Sequence, residues 1–312
     1  MELSKYAAID IGSNAVRLLI CNVIETDKEI YFRKSQLTRV PVRLGIESFI
    51  EGKISKTTAN RLIEAMKGFK HLMNANEVVH YKGCATSAMR DASNGADIVS
   101  RIKKEAGIDI DVISGKLEAE IIFSTHIEAL IEGVVDFLYV DVGGGSTELT
   151  LFHKGKLIVS KSFNIGTLRV LNNMVTEKDW SKMYDWLQEH ASIYKDISII
   201  GSGGNINKMF KMSMKELGKP LDYKYLMKQY KMISSMTYEE RMIQLELNPD
   251  RADVIIPALQ IYLNIMNCNQ INTVFVPKIG LSDGIVRYAY KDYNQSHHIQ
   301  KRSVFKSEKN DD

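Results

Sequence analysis

A short glycine-rich turn between two apolar runs occurs twice in this sequence, and it limits the possible folds more than any other feature. Residues 138–149 read Leu-Tyr-Val-Asp-Val-Gly-Gly-Gly-Ser-Thr-Glu-Leu, and residues 6–20 also close an apolar run on an Asp before a Gly/Ser turn and a second apolar run. Each segment predicts a strand, a tight turn and a second strand. Asp10 and Asp141 are 131 positions apart by subtraction of their numbers, and a repeat of that period indicates a domain duplication.

The turn chemistry points to phosphate. Three consecutive glycines, Gly143 to Gly145, carry no β-carbon, so their backbone N–H groups can approach an anion closely. The carboxylates of Asp141 and Glu148 would repel a bare phosphate, which suggests that a divalent cation or a water molecule lies between. We expect the two hairpins to face each other across a cleft that holds a multiply phosphorylated ligand.

Composition excludes several classes of protein. A chain of 312 residues is long enough for two domains, and its net charge of +3 is too small to argue for nucleic acid or an anionic membrane as a partner. Three distant cysteines, Cys21, Cys84 and Cys268, are read as reduced residues of a cytoplasmic protein. Neither a signal peptide nor an apolar run of about 20 residues, as a membrane span needs, is expected.

The order of predicted elements is three strands, then helix and strand in alternation, followed by a second half that repeats this order with more helices. Such an order belongs to the mixed α/β class. We predict an N-terminal domain at 1–122, a C-terminal domain at 123–293 and a polar mobile tail at 294–312.

Several common sites are not supported by the motifs. Neither glycine cluster continues into Gly-Lys-Ser/Thr, and the sequence contains no Gly-x-Gly-x-x-Gly. What remains is phosphate chemistry by positioning, charge neutralisation and a base that orients water.

The motifs resemble, in order over about the first 290 residues, those of the exopolyphosphatase/guanosine pentaphosphatase (Ppx/GppA) family. They are Asp10-Ile-Gly-Ser-Asn14 with Arg17, Ala85 to Asp91 with Asn94-Gly95, Ile113-Ser-Gly115 with Glu118-Ala119, Asp141 to Glu148, Gly166 with Arg169, Arg251-Ala-Asp253, and Gly280-Leu281 with Asp283-Gly284. The resemblance implies a duplicated actin-like, ribonuclease-H-like (ASKHA) α/β fold with an interdomain cleft, and Mg²⁺-dependent removal of a terminal phosphate. The chain is similar to short members that lack helical C-terminal domains.

The same resemblance implies roles for individual residues. Glu118 matches the catalytic glutamate that activates the attacking water, although a carboxylate in a first helical turn also serves the helix dipole alone. Arg17 and Arg90 match phosphate-binding arginines, whose planar forks can each hold two oxygens. The remaining phosphate-binding candidates are Ser13, Asn14, Gly143, Gly144, Gly145, Ser146 and Thr147. Asp141 and Glu148, with Asp10 less strongly supported, are the candidates for binding metal or water.

Weaker candidates surround this set. The loop from Gly201 to Asn205 sits where actin-like kinases hold a nucleoside, and it can bind a guanosine, further phosphates, or only turn the chain. Arg169, Arg43 and Lys208 are candidates for lining an anion channel. Glu120 stands where many relatives have arginine, which makes the local charge more negative.

The leading hypothesis is an exopolyphosphatase that releases orthophosphate from the end of inorganic polyphosphate. Hydrolysis of guanosine pentaphosphate to the tetraphosphate is the alternative within the family, and no residue separates the two. An actin-like ATP-dependent kinase and a non-catalytic polyphosphate or alarmone sensor are further alternatives. The expected partner is polyphosphate or guanosine pentaphosphate, with a homodimer as an open option and without nucleic acid or membrane.

Overall fold

The computed structural model describes the backbone of residues 1–125, 136–194 and 196–307, and the side chains of these except Phe123 and 296–307. Two β-sheets, each with its own helices, follow one another along the chain. The part of the predicted helix from about 114 to 131 that falls on 126–131 lies outside the described residues.

The first half forms a five-stranded sheet. Its strands are β1 (Glu2–Ile11), β2 (Val16–Glu25), β3 (Ile30–Val40), β4 (His80–Ala85) and β5 (Asp111–Val112), in the spatial order β3-β2-β1-β4-β5. Its helices are α1 (Leu44–Ile50), α2 (Lys56–Ala75), α3 (Ser87–Asp91) and α4 (Gly95–Ala106). Helix α2 begins after Ser55, because the Ser55 hydroxyl accepts a hydrogen bond from the Thr58 backbone N–H and so caps the helix.

The second half forms a six-stranded sheet. Its strands are β6 (Asp136–Val142), β7 (Thr147–His153), β8 (Lys156–Phe163), β9 (Ser198–Ser202), β10 (Leu221–Asp222) and β11 (Thr273–Phe275), in the spatial order β10-β11-β9-β6-β7-β8. Its helices are α6 (Thr167–Leu171), α7 (Glu177–His190), α8 (Gly204–Met212), α9 (Tyr223–Ser234), α10 (Tyr238–Gln244), α11 (Pro249–Ala252) and α12 (Ile255–Cys268).

The strand registers show the same arrangement in both halves. In each sheet three antiparallel strands are followed by a parallel strand on the other side of the first one. Asp10 pairs with Arg17 on β2, just as Asp141 pairs with Glu148 on β7. The two turns also match, since Gly12 N–H donates to Ala15 O at 3.2 Å and Gly143 N–H donates to Ser146 O at 2.9 Å.

Two helices lie between the sheets. Helix α5 (Gly115–Phe123) contacts β7 and β8 of the second sheet, and helix α13 (Leu281–Ser307) contacts β1, β2 and β4 of the first sheet. Their apolar side chains join residues of both sheets in one buried cluster, which includes Tyr6, Ile121 and Ile285. The two halves are therefore joined by one helix from the middle of the chain and one from its C-terminal part, and the domain boundaries at 122 and 293 stay a prediction.

The structure differs from the expected elements in a few places. Helices α1 and α6 fall in segments for which the sequence predicted no helix. Both are short, and each has an N-cap without a side-chain hydrogen bond, so they leave little trace in the sequence. The backbone of 294–307 is helical as the end of α13, and whether this segment is mobile stays a prediction.

Candidate active site

The two glycine hairpins meet at one cleft between the halves, as expected. The cleft has a volume of about 250 Å³ and is lined by Asp10, Ser13 and Asn14 from the first turn and by Asp141, Gly143 and Gly144 from the second. The turns pack directly on each other, because a Cβ placed on Gly144 would lie 3.0 Å from Ser13 Cβ and 3.4 Å from the Asn14 backbone nitrogen. The cleft therefore lies at the seam of the duplication.

Asp10 is held by a cation and a hydroxyl. Arg17 Nη1 donates to Asp10 Oδ2 at 2.8 Å, and Ser282 at the start of α13 donates to the same oxygen at 3.3 Å. The strand register places these groups, since Asp10 and Arg17 are direct partners at the ends of β1 and β2. Asp10 is therefore neutralised by the protein itself.

Glu148 is buried between two serines. Its Oε1 accepts hydrogen bonds from Ser146 Oγ at 2.6 Å and from Ser162 Oγ at 2.9 Å. Burial raises the pKa of Glu148 above its usual range, and the two hydroxyls oppose this shift.

Glu118 lies in the first turn of α5, after Ser114, whose hydroxyl accepts from the Leu117 N–H at 3.2 Å. The residue is only 7% exposed, and its Oε2 is buried without a hydrogen-bond partner among the described residues. Burial, followed by repulsion from Glu148, Asp141 and Asp10, raises the pKa of Glu118 well above its usual range, while Arg90 opposes the shift. The raised pKa makes the Glu118 carboxylate a stronger base, and its Oε2 has no competing hydrogen bond in the described part of the chain. This oxygen is therefore suited to accepting a proton from a ligand in the cleft.

Asp141 ends β6 and faces the same space. Burial and repulsion from Glu148 raise its pKa to about 7, while Arg17 opposes the shift. Glu148 and Asp10 each raise the pKa of both Glu118 and Asp141, so the site is short of positive charge, which a cation or a proton can supply.

Most of the predicted phosphate-binding residues line this cleft. They are Ser13, Asn14, Arg17, Gly143, Gly144 and Ser146. Ser13 Oγ lies 2.9 Å from Ser87 Oγ, and Asn14 Nδ2 donates to the Asp250 backbone carbonyl at 2.9 Å. The loop of uncertain role from Gly201 to Asn205 also reaches the cleft, through Ser202, Gly203, Gly204 and Asn205.

Three predicted phosphate-binding residues lie outside the lining. Gly145 packs under α1, since a Cβ on it would lie 2.1 Å from Phe49 Cζ. Thr147 is fully buried, and its hydroxyl donates to the Ile165 carbonyl. Arg90 is exposed and donates to the Ile113 carbonyl at 2.7 Å, although its charge still acts on Glu118 and Glu148. The structure thus gives Gly145 and Thr147 packing partners in place of contact with the cleft.

Two of the three weaker anion-channel candidates have other partners. Arg43 pairs with Asp253 at 2.5 Å across the two halves. Arg169 pairs with Asp91 at 2.7 Å and lies 4.0 Å above the Phe49 ring. Lys208 lies on α8 directly after Asn207, which lines the cleft, but is itself outside the lining.

Two cleft arginines were not among the predicted site residues, although Arg251 belongs to one of the family-like motifs. Arg39 on β3 is the strand partner of Arg17, and Arg251 follows Asp250 on α11. Burial lowers the pKa of Arg251, and repulsion from Arg39 and Arg17 adds to the shift. Three arginines in one cleft suit a polyanion. The pairing of Arg17 with Arg39 could have been found from the strand register, whereas Arg251 comes from the other half of the chain.

A divalent cation suits the chemistry of these donors, since oxygen ligands are what Mg²⁺ prefers. Among the described residues, however, no group of three or more His, Cys, Asp or Glu side chains is close enough to hold a metal ion. Mg²⁺ is commonly bound through one or two carboxylates together with substrate phosphates and water. The carboxylates fit an ion of that kind, bound together with substrate.

None of the helices in the described part of the chain is long and apolar enough to cross a membrane.

Sequence relatives carry phosphatase names. The chain is 32% identical over 216 residues to a bifunctional 3-dehydroquinate synthase/phosphatase of Fusobacterium nucleatum, a match that covers 64% of this chain and 32% of that one. It is 30% identical over 146 residues to exopolyphosphatase 1 of Mycobacterium bovis, and this match covers 47% of this chain and 42% of that one. A match to exopolyphosphatase 2 of Mycobacterium tuberculosis covers 54% of each chain at 30% identity. The chain thus spans about a third to a half of the length of these curated relatives.

Solved structures share the fold over nearly the whole chain. An exopolyphosphatase from Cytophaga hutchinsonii aligns with a TM-score of 0.78 and 24% identity, covering 91% of this chain and 97% of that one. A Ppx/GppA family member from Aquifex aeolicus aligns with a TM-score of 0.73 and 24% identity, and the alignment covers 93% of this chain and 99% of that one. The expected duplicated actin-like α/β fold is confirmed. A sequence model of the Ppx/GppA phosphatase family matches residues 24–291, and the chain therefore belongs to the Ppx/GppA phosphatase family.

Proposed function

We propose that this chain is an exopolyphosphatase, which hydrolyses the terminal phosphoanhydride bond of inorganic polyphosphate and releases orthophosphate. The observation that carries the proposal is the position of Glu118 in a cleft lined by two glycine turns and three arginines, where its Oε2 is buried and has no hydrogen-bond partner in the described part of the chain. Names of relatives agree with it, but they belong to proteins of which this chain matches only a part.

Each part of the cleft has a task in this reaction. The backbone amide of Gly144, with Ser13 and Asn14, holds the terminal phosphate. Glu118 accepts a proton from the attacking water as the new P–O bond forms and the bridging P–O bond breaks, and the shortened chain leaves with the electron pair. The raised pKa of Glu118 favours this transfer.

Mg²⁺ is proposed as the cofactor, and Asp141 is its leading protein ligand. Arg17 already neutralises Asp10, and two serine hydroxyls occupy one oxygen of Glu148, so Glu148 and Asp10 are secondary candidates. When bound, Mg²⁺ would neutralise charge on the phosphate oxygens.

Hydrolysis of guanosine pentaphosphate is the second candidate, because Gly203 and Gly204 of the loop that could hold a nucleoside line the cleft. Phosphate release from purified long-chain polyphosphate and from guanosine pentaphosphate, each with Mg²⁺, distinguishes the two by kcat/KM. A higher value for polyphosphate supports the proposal, and a strong preference for the nucleotide replaces it. ATP consumption that depends on an added acceptor would instead support a kinase, and binding without turnover would support a sensor.

A further inference from the structure

Residues 204–231 form a strongly basic segment of this chain. The whole chain carries 41 lysines and arginines against 38 acidic residues, whereas residues 204–231 contain seven lysines, two acidic residues and no arginine. This segment therefore carries +5, and the rest of the chain is net −2. The segment covers α8, the following loop and α9.

One face of α8 leads from the cleft to the first two of these lysines. Gly204 and Asn207 line the cleft, and Lys208 and Lys211 follow at the helical spacing that puts all four residues on the same face. The opposite face, with Ile206, Met209 and Phe210, is buried in the core of the second half. At a rise of about 1.5 Å per residue, Lys211 lies roughly 10 Å along the axis from Gly204.

The lysines on this face are available to a ligand. Lys211 is exposed and Lys208 partly so, and neither is paired with a carboxylate among the described residues. Lys278 also lines the cleft, and its Nζ lies 5.5 Å from the centre of the Phe210 ring, which belongs to the buried face of α8. Positive groups are thus found inside the cleft, at its edge and on the helix beyond it.

Ordinary surface lysines provide the comparison. Lys224, Lys228 and Lys231 form a second exposed row on α9, and such rows commonly serve solubility alone. A lysine in the last turn of α8 also stabilises the helix dipole. Neither effect accounts for a row that begins in the lining of a polyanion cleft.

We propose that the Gly204–Lys211 face of α8 binds the part of a long polyphosphate chain that extends out of the cleft. This inference rests on the proposed function and narrows its substrate. A nucleoside held at the Gly201–Asn205 loop would lie at the cleft end of α8, and the nucleotide would not reach Lys208 and Lys211. The path therefore favours long linear polyphosphate over guanosine pentaphosphate as the substrate.

A pair of charge-matched variants tests the path. Lys208→Gln/Lys211→Gln removes two charges from α8, and Lys228→Gln/Lys231→Gln removes two from α9. Both are made in a Glu118→Gln background, so that substrate is not consumed, and unfolding midpoints confirm that they fold. Calorimetric titration then measures the affinity for long-chain polyphosphate and for tripolyphosphate.

The α8 pair is expected to lose about tenfold more affinity for the long chain than for tripolyphosphate, because only the long chain reaches the lysines, while the α9 pair shows no such difference. The proposed path is overturned if the α8 and α9 variants lose the same affinity for long-chain polyphosphate. It is also overturned if the α8 variant loses the same affinity for long-chain polyphosphate and for tripolyphosphate. A single-stranded RNA whose binding falls by the same factor in the α8 pair also overturns it, since the face is then a general polyanion surface.

The binding measurement is independent of turnover. Lysine-dependent binding of long polyphosphate without phosphate release from wild type would refute the proposed hydrolysis alone. Phosphate release with unchanged binding in the α8 pair would refute the path alone.

Discussion

Asp250, at the start of α11 in the second half, forms an ion pair with Arg39 on β3 of the first half. Both Asp250 oxygens accept hydrogen bonds from this guanidinium, and Asn14 Nδ2 donates to Asp250 Oδ2 at 3.3 Å. Asp250 is only 5% exposed. One carboxylate therefore joins the first glycine turn, the row of arginines and the second half beside the cleft.

We expect Asp250→Ala to lower the free energy of unfolding by about 3 kcal/mol, because it leaves Arg39 largely buried without its counter-charge. Asp111→Ala is the matched control, since Asp111 pairs with Lys82 at 2.8 Å but is 61% exposed. An exposed pair of that kind is worth less than about 1 kcal/mol. Chemical denaturation measures both, and equal losses would show that the Arg39–Asp250 pair contributes no more than a surface pair.

The pH dependence of stability follows from Asp141. Its pKa is about 7 in the folded chain, whereas an aspartate in an unfolded chain titrates near about 4. The folded state therefore binds the proton more tightly, and stability is greatest below the lower value and falls as the pH rises toward 7. The raised pKa of Glu118 and of Glu148 acts in the same direction.

Urea unfolding without Mg²⁺ or polyphosphate, at several pH values between about 4 and 7, measures how steeply the free energy of unfolding falls with pH. Asp141→Asn is expected to make this fall less steep. Asp97→Asn, at an exposed position on α4, is expected to leave it unchanged. A wild-type midpoint that rises with pH across this window would contradict the buried carboxylate site.

Two glycines of the second turn are expected to differ in what they do. Gly145→Ala brings a Cβ to 2.1 Å from Phe49 Cζ, so the loop must shift at a cost of about 1 to 3 kcal/mol. Gly143→Ala meets only the Ser146 carbonyl at 3.1 Å, and we expect it to lower kcat/KM with a smaller change in stability. Thermal unfolding and phosphate release, measured on both variants, separate the effects. If the two variants lost the same stability and the same kcat/KM, the packing role of Gly145 and the role of Gly143 in the cleft would both be contradicted.

Arg251 is expected to contribute to substrate affinity. Its positive charge is disfavoured by burial and by two neighbouring arginines, and a bound polyanion relieves that repulsion. Arg251→Gln should therefore raise KM for polyphosphate about tenfold without lowering the unfolding midpoint. Arg101→Gln, which removes an exposed arginine paired with Glu105 at 2.8 Å, should leave KM unchanged. A fall in the midpoint with unchanged KM would assign Arg251 a structural role.

The sequence predicted the local parts of this site and missed the contacts that depend on packing. Apolar alternation and glycine turns were enough to predict both hairpins and the meeting of Asp10 with Asp141. The packing of Gly145 outside the cleft lining could not be foreseen, because the neighbour that requires a glycine there, Phe49, lies on α1, a helix that the sequence did not predict. Arg251 reaches the cleft only because the second half folds over the first.

The role of Glu118 is the central claim. Phosphate release from long-chain polyphosphate with Mg²⁺ should fall by roughly 10² to 10⁴ in Glu118→Gln, as expected for the loss of a general base. Glu120→Gln is the matched control on the same helix, since its side chain is 52% exposed, and it should stay near wild type. Activity of Glu118→Gln that stays within about tenfold of wild type, in a variant with an unchanged unfolding midpoint, would contradict the account.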